Sequence, residues 1–279
     1  MPIITFWSNN EKSIGQTVSV ASVATAMAVE RNYKVLLISA DFNDNVIEKC
    51  FGAQESNKDI VKVLVKAPQI NFDSGINGLL KLAESKRVTP DVIHDYTKII
   101  FKNRLEVLYS PMNVIEEKEQ VRIMGEIKNI IINASRYYDQ VFVDLKKGFK
   151  CSEQLDILNL SDVVVLNSDQ NTENIEKFLK TREFESLKHK VIWNICKYDK
   201  KSKYNSKNLS RTILKKQTIC ETGYNTLLLD AAQEGGVPEL FLRFRTLRDD
   251  SDENTVFISK IKEFIEEILL KYQETRTKM

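Results

Sequence analysis

Short apolar runs alternate along the chain with longer stretches of helical period. They are apolar almost throughout, and lack the strict alternation of a strand with one face in water. Such runs are typical of strands that helices cover on both faces. They lie at 2–8, 34–40, 105–109, 140–144, 162–167 and 190–194. The pattern predicts an α/β fold with a doubly wound, mostly parallel sheet of about seven to eight strands.

Between these runs lie stretches whose apolar residues recur with helical periodicity, at 15–31, 116–136, 172–181 and 253–272. With only 9 glycines and 5 prolines in 279 residues, no linker-like segment divides the chain. We therefore predict a single domain over residues 1–279 with a helical insertion around 71–98. In open α/β sheets, ligands bind beyond the carboxyl ends of the strands.

Charge and composition narrow the function classes. The net charge of +2 gives no reason to expect an extended polyanion-binding surface. The four cysteines are scattered and only two histidines are present, which argues against a zinc site. No signal peptide or membrane span is evident, so we expect a cytoplasmic protein.

The segment after the first apolar run, 8–17 (SNNEKSIGQT), lies where a phosphate-binding loop belongs. A working GxxxxGK[ST] loop needs glycines, a lysine for the phosphate oxygens and a hydroxyl for Mg²⁺. Alignment on Gly15 and Thr17 places Asn10 at the first glycine and Gln16 at the lysine. An ordinary strand–turn–helix junction capped by Asn10 or Ser13 also fits the segment. The candidate nucleotide-binding residues of the loop are Asn10, Lys12, Ser13, Ile14, Gly15, Gln16, Thr17 and Val18.

Four later segments occur in an order that resembles the ParA/MinD group of deviant Walker P-loop ATPases, from residue 2 to about 270. They begin at Ser39-Ala40-Asp41, at Asp144-Leu145-Lys146-Lys147-Gly148, at Trp193-Asn194 and at Gly223-Tyr224. The group's loop reads KGGxGK[ST]. Glu11 here replaces its signature lysine and Gln16 its second lysine, while Lys12 lies one position away from the signature site.

The resemblance implies roles for particular residues. Asp41 corresponds to an acid that orients the attacking water, Asp144 to one that reaches Mg²⁺ through water, and Asn194 to a contact with the adenine edge. The implied metal residues are Thr17, Asp41 and Asp144. Lys146 and Lys147 either supply positive charge near the phosphates or point to solvent, and we favour solvent because exposed lysine is the common case.

The replaced lysines predict weak or absent binding of ATP or ADP with Mg²⁺, and negligible hydrolysis, because phosphoryl transfer depends on charge neutralisation. The resemblance then implies a protein that positions or scaffolds a pilus, conjugation, secretion or partition assembly. It implies a protein partner and allows a homodimer. Two alternatives remain open. One is an active ATPase that uses Lys12, Lys146 or Lys147, and the other is a DNA-associated partition protein.

Two surfaces bear on partners. The segment 197–216 is rich in lysine with Tyr198 and Tyr204 between, and we favour a solvated face over a DNA-binding one. The last helix has an apolar stripe that includes Val256, Phe257 and Ile261. Its glutamates favour docking against the sheet over membrane binding.

Overall fold

The protein is described by a computed structural model covering residues 1–10, 14–52, 76–84, 88–112, 114–148 and 151–277. Eight strands form one sheet, and each run predicted from the apolar pattern is a strand. The strands are β1 (Ile3–Trp7), β2 (Val35–Ala40), β3 (Lys98–Phe101), β4 (Leu105–Leu108), β5 (Gln140–Leu145), β6 (Val163–Ser168), β7 (Val191–Tyr198) and β8 (Thr218–Gly223).

Helices connect the strands. The described helices are α1 (Gln16–Glu30), α2 (Val46–Phe51), α3 (Ile76–Glu84), α4 (Pro90–Asp95), α5 (Glu117–Ala134), α6 (Ser152–Leu160), α7 (Thr172–Leu179), α8 (Arg182–Leu187), α9 (Ser206–Thr212), α10 (Thr226–Glu234), α11 (Val237–Arg243) and α12 (Glu253–Thr277). The predicted insertion at 71–98 contains α3 and α4 and reaches the first residue of β3, while its residues 71–75 and 85–87 lie outside the described part.

The strand order is β3-β4-β2-β5-β1-β6-β7-β8. All pairs are parallel except β3 with β4, which is antiparallel. The prediction of a mostly parallel, doubly wound sheet is thus confirmed. The apolar pattern missed the two edge strands, β3 and β8, because both are partly exposed and their residues are not uniformly apolar.

Each face of the sheet packs against its own set of helices. On one face Trp7, Ile38 and Val143 pack with residues of α3, α5, α6, α7 and α8. On the other face Phe6 and Leu37 pack with residues of α1, α2, α10, α11 and α12. Helix α1 is buried along nearly its whole length, which places its first residues against the middle of the sheet.

The last helix, α12, docks on the sheet as predicted. Phe257, Ile261 and Phe264 on its inner face are buried in the same core as Phe6. Val256, expected in the same stripe, is 40% exposed, so its assignment to the core was wrong. Within the described ranges, none of the helices combines the length and apolar character that crossing a bilayer requires.

Candidate nucleotide and metal site

The described residues between β1 and α1, 8–10 and 14–15, lie at the carboxyl ends of the central strands. Gly15 has φ of 98°, a left-handed conformation that glycine adopts without strain, and α1 begins at the next residue. Asn10 is half-buried, and its backbone N–H donates to Ser8 Oγ at 3.1 Å. Ile14 is buried and Val18 half-buried. Lys12 and Ser13, two of the predicted loop residues, lie outside the described part of the chain, as does Glu11.

Gln16 turns into the sheet instead of facing the loop. Its side chain is fully buried. The amide nitrogen Nε2 donates to Asp144 Oδ1 at 2.7 Å, to the Leu145 carbonyl at 2.8 Å and to the Phe6 carbonyl at 3.3 Å. The side chain at the lysine position of the loop therefore bridges β1 and β5, and its donors are used within the protein.

Asp144 is fully buried near the end of β5, level with Phe6 on β1 and Ser39 on β2. Burial raises the pKa of its carboxyl to about 7, although the hydrogen bond from Gln16 opposes this rise. Its second oxygen, Oδ2, has no hydrogen-bond partner among the described residues. The Thr17 hydroxyl is near enough to lower the pKa of Asp144, but its geometry falls short of a hydrogen bond.

Asp41 is paired with a lysine of the same chain. Lys147 Nζ lies 3.6 Å from Asp41 Oδ2 and 4.0 Å from Asp44 Oδ2, and its side chain is only 15% exposed. Burial raises the pKa of Asp41, and the Lys147 ammonium lowers it in part. Asp41 therefore already has a counter-ion, the Lys147 ammonium.

The expectation that Lys146 and Lys147 point to solvent was wrong. Lys147 is held by the two aspartates. Lys146 Nζ donates to Gln120 Oε1 at 2.9 Å and lies 5.2 Å from the centre of the Phe42 ring. Local sequence favoured exposure, but β5 ends beside β2, and the acids that follow β2 attract the lysine of the β5 loop.

Asn194 belongs to a second polar cluster, which lies where β6, β7 and β8 meet α1. Its side chain is fully buried, and its Nδ2 donates to Ser19 Oγ at 2.9 Å and to Asn167 Oδ1 at 2.8 Å. Its Oδ1 accepts from Thr222 Oγ1 at 2.9 Å. Both ends of the amide are thus used inside the protein, and the contact with adenine remains a prediction that would require this cluster to open.

The residues present fit a magnesium ion better than a triphosphate. Thr17 Oγ1 and Asp144 Oδ2 are buried oxygens without hydrogen-bond partners, and a hydroxyl with a carboxylate suits Mg²⁺. For the phosphates, Gln16 supplies a neutral amide that is already bonded, and Lys146 and Lys147 both have partners within the protein. Gln16, Lys146 and Lys147 as placed therefore offer no free cation to the phosphates of a nucleoside triphosphate.

Several of these contacts could not be read from the sequence. Asp44, Ser19, Asn167 and Thr222 were not expected in the site, and Lys147 was considered for it but expected to point to solvent. The clearest available signal was the position of Lys147, three residues after Asp144 at the end of a predicted strand. Gln16 and Asp144 are in contact, whereas Asn194 lies in its own cluster. The nucleotide and metal roles of these residues stay predictions.

An open, mostly parallel α/β sheet with a strand–loop–helix junction at its centre is shared by P-loop proteins and other doubly wound folds. No family model matches the sequence, and no curated protein matches it. Solved structures do match. A ParA family ATPase from Chlorobium tepidum superposes with a TM-score of 0.67 at 14% identity, covering 96% of this chain and 98% of the other.

Two further solved structures match over nearly the whole chain. The MinC:MinD cell division complex of Aquifex aeolicus matches with a TM-score of 0.61 at 18% identity, over 95% of this chain and 96% of the other. A putative plasmid partition protein from Borrelia burgdorferi bound to AMPPNP matches with a TM-score of 0.59 at 18% identity, over 96% and 99%. The protein therefore has the ParA/MinD fold.

Proposed function

We propose that this protein is a ParA/MinD-like assembly factor whose nucleotide site binds ATP or ADP weakly or not at all and turns over little ATP. It positions or scaffolds a larger machine, such as a pilus, conjugation, secretion or DNA-partition apparatus. The observation that carries the proposal is the Gln16 amide, which is bonded to Asp144 at 2.7 Å where a working loop presents a lysine.

The energetic argument concerns charge. A charge-assisted hydrogen bond to phosphate is roughly twice as strong as a neutral one. Loss of one preorganised donor in an active site costs roughly 3 to 4 kcal/mol of transition-state stabilisation. Lys147 does not compensate in the described arrangement, because its ammonium already neutralises Asp41.

Partners follow from the same reasoning. Glu11, at the position of the signature lysine, argues against the ATP-bridged dimer that the resemblance implies, so a homodimer would have to form without it. Support for a protein partner comes from the Aquifex MinD match, which was solved as a complex with MinC. A membrane partner is not favoured, because the inner face of α12 is occupied by the core. A cytoplasmic location stays a prediction.

Calorimetric titration with Mg-ATP and a phosphate-release assay test the proposal. We expect no binding at micromolar concentration and no turnover above background. The double variant Glu11→Lys, Gln16→Lys should gain nucleotide affinity. Micromolar binding by the wild type, with turnover that Lys12→Ala or Lys147→Ala abolishes and the exposed-site control Lys200→Ala retains, would establish the active-ATPase alternative instead.

A second candidate, DNA association, is favoured by one observation. Lys200, Lys201, Lys203 and Lys207 are all exposed around the start of α9, near Tyr204. Such a surface would bind phosphate backbones in a salt-dependent way. A mobility-shift assay in 50 and 200 mM salt tests it, and absence of a shift at 50 mM eliminates this candidate.

A further inference from the structure

A groove lies at the amino ends of the central strands, the opposite edge of the sheet from Gln16 and Asp144. It has a volume of about 420 Å³. It is lined by Tyr33, which precedes β2, by Gln140, the first residue of β5, and by the last turns of α12. Ligand pockets in proteins begin at about 300 Å³, so the groove has room for a small molecule.

Hydrogen bonds hold the sheet side of the groove. The backbone N–H of Asp139 donates to the Lys34 carbonyl at 2.8 Å, and the backbone N–H of Lys34 donates to Asp139 Oδ2 at 2.8 Å. The Gln140 N–H also donates to the Lys34 carbonyl, at 3.3 Å. These bonds fix the backbone next to Tyr33 and Gln140 on two neighbouring strand ends.

One face of α12 forms the other side of the groove. Leu269, Tyr272, Gln273 and Arg276 follow the spacing i, i+3, i+4, i+7, which places them on one side of a helix, and all four line the groove. Leu269 and Tyr272 pack partly against the core, whereas Gln273 and Arg276 are exposed. The helix therefore contributes an aromatic ring and two long polar side chains.

Gln140 carries a buried polar atom without a partner. The residue is 4% exposed, and its amide Oε1 accepts no hydrogen bond from the described residues. Buried polar atoms in this state are uncommon in folded proteins. Because an amide presents a donor beside its acceptor, a heterocycle edge with an adjacent donor and acceptor can pair with both atoms, as amides pair with adenine.

Arg276 gives the groove a positive charge. Its guanidinium carbon Cζ lies 5.7 Å from the centre of the Tyr272 ring, and Arg276 forms no ion pair with the described residues. By contrast, Arg31, two residues before Tyr33, is paired with Glu266. The Arg276 guanidinium is thus available to an anion, and its fork of N–H donors suits the oxygens of a phosphate.

We propose that this groove binds a nucleoside monophosphate whose base carries an amino group, such as adenosine monophosphate. The base pairs with the Gln140 amide and stacks on the tyrosines that line the groove, and the phosphate binds Arg276. The site is separate from the crevice between β1 and α1. The inference therefore goes beyond the proposed function and does not rest on it.

A ligand-observed NMR titration of the full chain with adenosine monophosphate, with chelator present, tests the proposal. We expect saturable binding with a dissociation constant of about 1 mM or below, because the groove is open to solvent and one arginine supplies its charge. Adenosine lacks the phosphate and ribose 5-phosphate lacks the base, and each should bind at least about tenfold more weakly. Absence of saturable binding, or equal binding of adenosine, overturns the proposal.

Variants locate the ligand. Arg276→Ala should weaken binding of adenosine monophosphate at least about tenfold, since it removes the phosphate contact. Arg243→Ala is the matched control, because Arg243 is also exposed and lies 5.4 Å from an aromatic ring, that of Phe244, and it should leave binding unchanged. Gln140→Leu should abolish the preference for adenosine monophosphate over purine riboside monophosphate, which lacks the amino group. Unchanged affinity in Arg276→Ala, or a preference retained in Gln140→Leu, overturns the proposal.

The same variants keep this inference apart from the proposed function. A nucleotide bound in the groove loses affinity in Arg276→Ala and is not hydrolysed, whereas a nucleotide bound beside Gln16 is unaffected by Arg276→Ala. The phosphate-release assay with Lys12→Ala and Lys147→Ala decides the proposed function whichever result the groove gives. Failure of one proposal therefore leaves the other standing.

Discussion

Replacing Gln16 with leucine removes the donor that ties α1 to the ends of β1 and β5. Leucine has a similar size, so the change leaves three acceptors without their donor: the Leu145 carbonyl at 2.8 Å, the Phe6 carbonyl at 3.3 Å and the Asp144 carboxylate at 2.7 Å. Each neutral bond contributes about 1 kcal/mol and the bond to the charged group about 2 kcal/mol. Burial of the leucine side chain offsets part of this sum, so we expect the free energy of unfolding to fall by about 3 kcal/mol at pH 8.

The decrease in unfolding free energy caused by Gln16→Leu should depend on pH. The Gln16 hydrogen bond lowers the pKa of Asp144, which burial raises to about 7. Without that bond the folded-state pKa rises further, so the variant is destabilised most above pH 7, where the carboxylate is charged. At pH 5 the carboxyl of both proteins is mostly protonated, and the difference should shrink toward the contribution of the two carbonyls.

Urea denaturation at pH 5 and pH 8 measures this difference, with an unchanged m-value as the sign that both proteins unfold alike. Gln233→Leu is the matched control, because Gln233 is exposed on α10, and it should change the unfolding free energy by less than about 0.5 kcal/mol. A Gln16→Leu protein within about 1 kcal/mol of wild type at pH 8 would refute the view that this amide holds the crevice together.

Three other predictions follow from buried polar groups. Asp144→Asn should remove a pH dependence of the unfolding free energy. The raised pKa of Asp144 stabilises the folded state below about pH 4, and this stabilisation is lost as pH rises through 7. With chelator present, the unfolding free energy of the variant should therefore rise by about 3 kcal/mol relative to wild type between pH 5 and 8.5, and parallel curves would contradict this. Asn194→Leu leaves Thr222 Oγ1 without its acceptor and should cost about 2–4 kcal/mol in urea unfolding, whereas a cost under about 0.5 kcal/mol would mean that the cluster relaxes. Burial alone would raise the pKa of Glu106, but hydrogen bonds led by that from Tyr138 outweigh it and lower the pKa. Glu106→Gln should therefore cost about 2 kcal/mol at pH 7 and less as pH falls below about 4, and an equal cost at both pH values would disprove the assignment.

Much of the architecture could be predicted because burial on both faces leaves a local signal. The continuous apolar runs at β2, β5 and β6 marked central parallel strands, and Gly15 marked the turn into α1. The antiparallel edge strand β3 gave no such signal, since its residues are half-exposed and pair with only one neighbour.

What the sequence by itself determined is the kind of fold and the position of the loop, because these depend on periodicity and on residues close together in the chain. It also determined that glutamine stands where a lysine is expected. Only the tertiary structure decided where the side chains point. Gln16 reaches Asp144 across 128 positions of sequence, and Lys147 reaches Asp41 across the β2–β5 pair. A buried polar group takes whichever partner the packing brings near, and the identity of that partner is not encoded in its own neighbourhood of the chain.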